Sequence, residues 1–363
     1  MATGFGLAQL STSDYAFTRV TTIDKALLYD AVNEYVMQAE MHMRGLAGLF
    51  VEGQTTRYTD RYQLPMGGMM SAWSGEDKPA AKKRKGKWDV AFPLYRWAET
   101  LAMTTEDYAY MTGAEFRAHI DGMLTMYSNR RRHQILRRIF KNTNDTVEDE
   151  HNGVSLTVKP LANGDTDVYP PVNGSDAEAT ADHYVETGYA ATAMSDTNNP
   201  YRDVISDLLT TRFGRQTGGI PIATLINKAE RAETEALSSF VPYVPSAVNA
   251  GVNTDSINMP NKPIPGEIIG YIDSTWVAVN DWIPANYAVG VYLNTPAPLK
   301  ERISPPDTNL GSGLQLENAS ADWPFLYNNW VARFGVGTGN RLAAVVVEFG
   351  TGGTYSIPSA YQT

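Results

Sequence analysis

Two strand-like runs separated by a long polar stretch constrain this chain more than any other feature. Thr56, Tyr58, Tyr62 and Leu64 make the first run, and Trp88, Val90, Phe92, Leu94 and Tyr95 the second. Between them lies GGMMSAWSGEDKPAAKKRKGK, residues 67–87. Two strands with so long a tip describe an extended hairpin that projects from a body. An isolated two-stranded hairpin is marginal in water, so this one needs a partner surface. Its tip, residues 78–87, holds six basic residues and no acidic one. Such a run reads as a nucleic-acid or nuclear-localisation patch, as a solvated loop, or as a docking element for an acidic surface on a neighbouring copy. Residues 142–200 supply that acidic surface, with eleven Asp and Glu against the single Lys159. Complementary patches on identical subunits favour assembly. On that reading Lys82, Lys83, Arg84 and Lys85 make inter-subunit contacts, with Trp73 and Trp88 as aromatic anchors.

The remaining elements follow from periodicity. Ile23, Leu27, Leu28, Val32, Tyr35, Val36, Ala39 and Met43 recur at helical spacing, after a polar arm over residues 1–22. Thr21 or Thr22 would cap that helix, and Gly45 and Gly48 would end it. The longest helical pattern runs over 113–141. Thr112 and Glu115 form a capping box at its start, and Phe116, Ile120, Met123, Leu124 and Tyr127 make its apolar stripe. At this length it extends roughly 40 Å. Its second half is basic, and Arg130, Arg131 and Arg132 are expected to meet acidic groups on a neighbour. Val154, Leu156 and Val158 alternate as a strand, and ANGDTD (162–167) signals a hairpin turn. Further helices are expected over 201–213 and over 222–239, the latter opened by Pro221. A Pro-rich connection covers 240–266, and the C-terminal third is rich in strands.

Chemistry is conspicuous by exclusion. There are no cysteines, which removes disulfides, thiolate metal ligands and thiol nucleophiles and suits a reducing compartment. The five histidines, 42, 119, 133, 151 and 183, make no HExxH pattern and read as exposed or capping groups. GVGTGN (335–340) precedes a strand instead of a helix, so it is a tight turn and not a phosphate loop. NTNDTVEDE (142–150) lacks the glycine and bidentate glutamate of a calcium loop and reads as a solvated acidic loop. No catalytic, cofactor or metal site is expected, and the chain reads as a structural protein and not an enzyme. A net charge of −10 argues against tight, sequence-independent DNA binding, because phosphate neutralisation needs cations. No stretch approaches the roughly 20 apolar residues of a membrane helix, and the N-terminus lacks a signal-peptide pattern.

The order of these elements resembles the major capsid proteins of tailed bacteriophages, the Hong Kong 97-type fold, over nearly the whole chain. The hairpin at 53–98 resembles the family's E-loop, and the helix at 113–141 its spine helix. IPIATLINKAERAETEAL (220–237) looks like a helix of the axial domain. YAVGVYLNTPAPLKERISP (287–305) followed by ARFGVGTGNRLAAVVVEF (332–349) resembles the strands that close the peripheral domain. The resemblance implies an α+β fold with an N-terminal arm and helix (1–50), an extended E-loop (51–100), a peripheral domain (101–214 and 326–363) and an axial domain (215–325).

It further implies self-assembly in pentamers and hexamers around packaged double-stranded DNA, with a portal protein, a possible decoration protein and no membrane. The chain enters the arm directly at Met1, so any scaffolding is expected from a separate protein. The implied location is the virion capsid, assembled in the host cytoplasm. An encapsulin-type compartment shares the fold. A tail or portal component, a metal- or carboxylate-dependent hydrolase and a sugar-binding β-protein are the other readings. The Gly-rich stretch 67–75 and the connection 240–266 are the expected adjustable parts.

Overall fold

The computed structural model describes residues 19–20, 31–32, 34–38, 45–63, 70, 72–73, 75, 87–102, 104–149, 152–169, 180–202, 222–243, 264–273, 275–293, 295–308, 310, 313–317 and 327–362. Most of the expected arm, the basic tip at 82–85, the 201–213 helix beyond Arg202 and residues 244–263 of the 240–266 connection lie outside them.

In chain order the first elements are α1 (Gly45–Phe50), β1 (Val51–Thr55), β2 (Thr59–Gln63), β3 (Lys87–Ala91) and β4 (Tyr95–Ala102). Next come α2 (Thr105–Tyr110), α3 (Gly113–Phe140), β5 (Asp145–Asp149), β6 (Val154–Val158) and β7 (Tyr184–Glu186). They are followed by β8 (Ile222–Ile226), α4 (Arg231–Glu235), β9 (Phe240–Pro242), β10 (Glu267–Ile272), β11 (Thr275–Val279) and β12 (Tyr287–Tyr292). The last are β13 (Leu299–Ile303), β14 (Leu314–Leu316), β15 (Tyr327–Thr338) and β16 (Ala344–Glu348). The chain divides into two units. One takes in Met1–Arg44, Leu94–Gln134 and Arg302–Gly335, and the other the rest.

In the first unit, β15 pairs antiparallel with β4 from Tyr327↔Ala102 to Phe334↔Tyr95, and with β14 from Leu314↔Ala332 to Leu316↔Trp330. The start of α3 is the capping box expected. The Thr112 N–H donates to Glu115 Oε2 at 2.8 Å, and the Glu115 N–H donates to Thr112 Oγ1 at 3.3 Å. Phe116, Ile120, Met123 and Leu124 bury the helical stripe against Val32, Val36, Leu316 and Trp330. Val32 and Val36 lie on the helical residues 31–32 and 34–38. Gly45 does not end a helix here; it opens α1.

In the second unit a seven-stranded sheet runs β7-β16-β12-β8-β11-β10-β9. β8 pairs parallel with β11 and antiparallel with β12, and every one of its residues is buried. This corrects the helix expected over 222–239, of which only the short turn Lys228–Glu230 and α4 are helical. Strands covered on both faces read as continuous apolar runs, which periodicity alone does not separate from a buried helix. The hairpin expected around 162–167 also lies earlier: β5 pairs with β6, and Asn152 and Gly153 turn just before β6. Residues 145–149 are therefore a strand and not a solvated loop.

The last turn of α3 enters this unit's core, with Ile135, Leu136, Ile139 and Phe140 among Leu225, Val289 and Val346. A helix end leaves carbonyls without partners inside the helix. Tyr355 Oη donates to the Phe140 carbonyl at 2.7 Å, and Tyr184 Oη to the Lys141 carbonyl at 2.8 Å. Tyr355 thus fastens a helix end that lies 215 positions before it in sequence.

The glycines of GVGTGN serve strand packing. A Cβ on Gly337 would lie 2.4 Å from the Ala91 carbonyl oxygen and 2.7 Å from the Phe92 ring, so β15 approaches the end of β3 only because no side chain intervenes.

His183 is fully buried, which corrects the reading of the histidines as exposed or capping groups. Its Nδ1 donates to the Ala344 carbonyl at 2.7 Å, and burial pushes the imidazole down to about 4. The unfolded chain therefore binds this proton more readily than the folded one, and the associated stability, full above about pH 6.5, is lost as pH falls toward 4. The loss reaches about 3 kcal/mol at most. Thermal melts of parent and His183→Asn across pH 4–7 check this. The parent's melting temperature should fall more steeply with acid; parallel curves would refute the assignment.

Candidate assembly surface

The hairpin is real, and its base is anchored on its own chain. β2 and β3 pair antiparallel from Thr59↔Ala91 to Gln63↔Lys87. Alternation puts Trp88, Val90 and Phe92 on one side, where they pack with Ala162, Tyr169, Ala181 and Leu342. Tyr62 stacks on Trp88 with ring centroids 5.7 Å apart, and Trp88 meets Tyr169 at 5.4 Å. Trp88 keeps only 5% of its surface exposed. It leaves almost nothing for a neighbour, so its expected role as an inter-subunit anchor gives way to one inside the subunit. The reason is tertiary: the bed comes from Ala162, Tyr169, Ala181 and Leu342, far away in sequence.

That bed is held by Arg341, whose side chain is fully buried. It donates to Asp165 Oδ2 at 2.8 Å, to Asp167 and to the Pro160 and Leu161 carbonyls, so each face of the guanidinium fork is satisfied. Lys159 also pairs with Asp167. The acidic 142–200 segment thus spends several of its carboxylates within the chain. Sequence reasoning missed Arg341, since a lone arginine after GVGTGN carries no local signal of burial.

At the root of the hairpin Tyr58 is 40% exposed, and beyond the paired strands Trp73 is 64% and Met70 99% exposed. Lys82, Lys83, Arg84 and Lys85 fall outside the described residues.

The basic half of α3 divides. Arg137, Arg138 and Lys141 converge on Asp145 of their own chain, and Arg138 Nε also donates to the Val336 carbonyl at 3.2 Å. Burial works to raise the Asp145 pKa, but the hydrogen bond from Lys141 and the charges of Arg138 and Arg137 override it and hold the carboxyl below its usual range. Arg130 instead lies over the Trp97 ring, 3.8 Å from its centroid. Arg131 and Arg132 are half-buried.

Trp97 belongs to an apolar groove within the first unit, with a volume of about 310 Å³. Trp330, Ala332 and Phe334 are alternate residues of β15 and form its floor, with Trp97 and Glu99 beside them in register on β4. Met123, Met126, Tyr127 and Arg130 follow one face of α3 at three- and four-residue spacing and form its wall. Phe334 contacts Tyr127 edge-on at 5.7 Å and Trp97 at 6.1 Å. At the rim Met126 is 50% exposed. Among the described residues no group of three or more His, Asp or Glu side chains is placed to hold a metal ion, and no helix is long and apolar enough to cross a membrane.

No protein-family model matches the chain, and no curated protein matches it in sequence. Solved structures do match. A structure from Mycobacterium phage Patience superposes with a TM-score of 0.68 at 20% identity, over 97% of this chain and 95% of that one. The capsid of a native GTA particle matches at a TM-score of 0.46 and 13% identity, over 85% and 90% of the two chains. The capsid of Myoviridae phage XM1 matches at 0.45 and 11%, over 84% and 91%. The architecture is the α+β Hong Kong 97-like capsid fold, as the order of elements implied.

Proposed function

We propose that this chain is the major capsid protein of a tailed bacteriophage and self-assembles into an icosahedral shell around packaged double-stranded DNA. The observation that carries the reading is the fold match over 97% of the chain at a TM-score of 0.68. Large apolar side chains left exposed on the single chain, Met37, Met70, Trp73, Tyr110 and Met126, support it, because an assembling subunit completes its burial on its neighbours. The role is structural, with no reaction catalysed.

In this reading residues 1–50 form the arm and its helix, 51–100 the E-loop, 101–214 with 326–363 the peripheral domain, and 215–325 the axial domain. Pentamers and hexamers of the chain make the shell, and its location is the virion. A portal protein, a separate scaffolding protein and a decoration protein are its proposed partners, and assembly takes place in the host cytoplasm. The acidic net charge suits an inner surface that does not hold DNA fast.

Negative-stain microscopy of the purified protein tests the proposal. Closed spherical particles, or rings of five and six subunits, are expected. A protein that stays monomeric at high concentration would overturn it. Particles that carry a cargo enzyme in place of DNA would point to a compartment shell instead.

A further inference from the structure

We propose that the groove of the first unit binds a small planar aromatic carboxylate, its ring entering among Trp97, Phe334, Tyr127, Met123 and Met126 and its carboxylate meeting Arg130. The inference goes beyond the shell reading, because every residue of the site belongs to one unit of one chain.

Size restricts the occupant. Ligand pockets enclose about 300–1,000 Å³, and this groove, at about 310 Å³, lies at the small end. It has room for one ring or two fused rings. Shape restricts it further. Trp97 and Phe334 are tilted by 43° with centroids 6.1 Å apart, and Tyr127 meets Phe334 edge-on at 89°. Rings set at such angles offer both faces and edges, which an entering aromatic ring matches by offset stacking and edge contacts. Met123 and Met126, three residues apart on α3, add thioethers that adapt their shape and contact ring edges favourably.

Charge selects the sign. Arg130 lies 3.8 Å from the Trp97 centroid, so the indole face that would attract a cationic ligand is already taken. Arg130 is exposed and, among the described residues, forms no ion pair. Its guanidinium keeps an N–H edge for an incoming carboxylate, which it can meet with two parallel hydrogen bonds. Glu99, the other charged group of the lining, is exposed on β4 and repels further negative charge, so a monoanion fits and a polyanion does not.

Ligand-observed NMR titration of 2-naphthoate against the full-length chain, held as unassembled subunits, tests the site. A dissociation constant of about 0.1–1 mM is expected of so small a molecule. In a chain labelled at its methionine methyl groups, the Met123 and Met126 signals should shift on binding. The neutral 2-naphthylmethanol and the cationic 2-naphthylmethylamine should each bind about tenfold more weakly than the acid. Arg130→Gln should weaken naphthoate about tenfold and leave the alcohol unchanged. Met126→Trp, at a position 50% exposed and so tolerated by the fold, should fill the groove and abolish binding of all three. The assignment is overturned if naphthoate fails to saturate below about 10 mM, if acid and alcohol bind alike, if Arg130→Gln binds the acid as the parent does, or if binding survives in Met126→Trp. None of these outcomes bears on the shell reading, which particle formation decides separately.

Discussion

Removing residues 70–86 should leave a folded subunit that no longer builds stable shells. β2 and β3 both survive this deletion, joined by the six residues 64–69. Trp88, Val90 and Phe92 keep their bed on Ala162, Tyr169 and Leu342, so the core is spared. What is lost is Met70 and Trp73, 99% and 64% exposed on the single chain, together with the basic run of residues 78–85. Fully burying one large apolar side chain is worth about 1.5–3 kcal/mol, and a closed shell repeats that contact on every subunit. The expected result is a melting temperature close to the parent's and a particle yield reduced to background in size-exclusion and negative-stain assays. Parent-level shells from the deletion would sink the role assigned to the hairpin.

The second large effect concerns Arg341. Replacing it with alanine strands Asp165 and leaves the Pro160 and Leu161 carbonyls without its N–H donors, while Lys159 still meets Asp167. Breaking a buried ion pair by removing one partner costs about 3–5 kcal/mol, because the remaining charge stays desolvated. Part of the cost here is offset, since Asp165 remains about a quarter exposed and can find water. Denaturant unfolding of dissociated subunits should still show a loss of about 3 kcal/mol, with the Tyr169–Trp88 contact the first to loosen. Arg341→Met combined with Asp165→Asn should recover a good part, since charge and countercharge leave together. A single-variant loss below about 1 kcal/mol would mean that Arg341 is not what holds the hairpin's bed.

Much of the architecture was legible residue by residue. The Thr112–Glu115 box and the 113–141 stripe located α3 to within one residue at its end, because capping and helical spacing act over three or four positions. The alternation of Val154, Leu156 and Val158 was equally local. The stretch 222–226 misled because IATLI is apolar at every position, and the choice between helix and strand lay with β11 and β12 on either side of it. The 162–167 stretch bends, with Gly164 at a φ of +69°, but it closes no hairpin, and its carboxylates answer Arg341.

For the assembly surface the division is the same. Composition and order could say that a basic-tipped hairpin with tryptophans on it needs a partner. They could not say which tryptophan. Trp88 lies in an alternating strand run and Trp73 in the polar stretch before it, and both read as anchors, yet one is 5% exposed and the other 64%. The groove of Trp97, Met126 and Phe334 had no signature either, since β4, α3 and β15 contribute to it from three distant stretches. Short-range rules of capping, alternation and charge run along the chain and survive in any fold that contains them. Burial is a property of residues that meet across hundreds of positions, so the fate of Trp88, Arg341 and the groove was written only once the strands had paired.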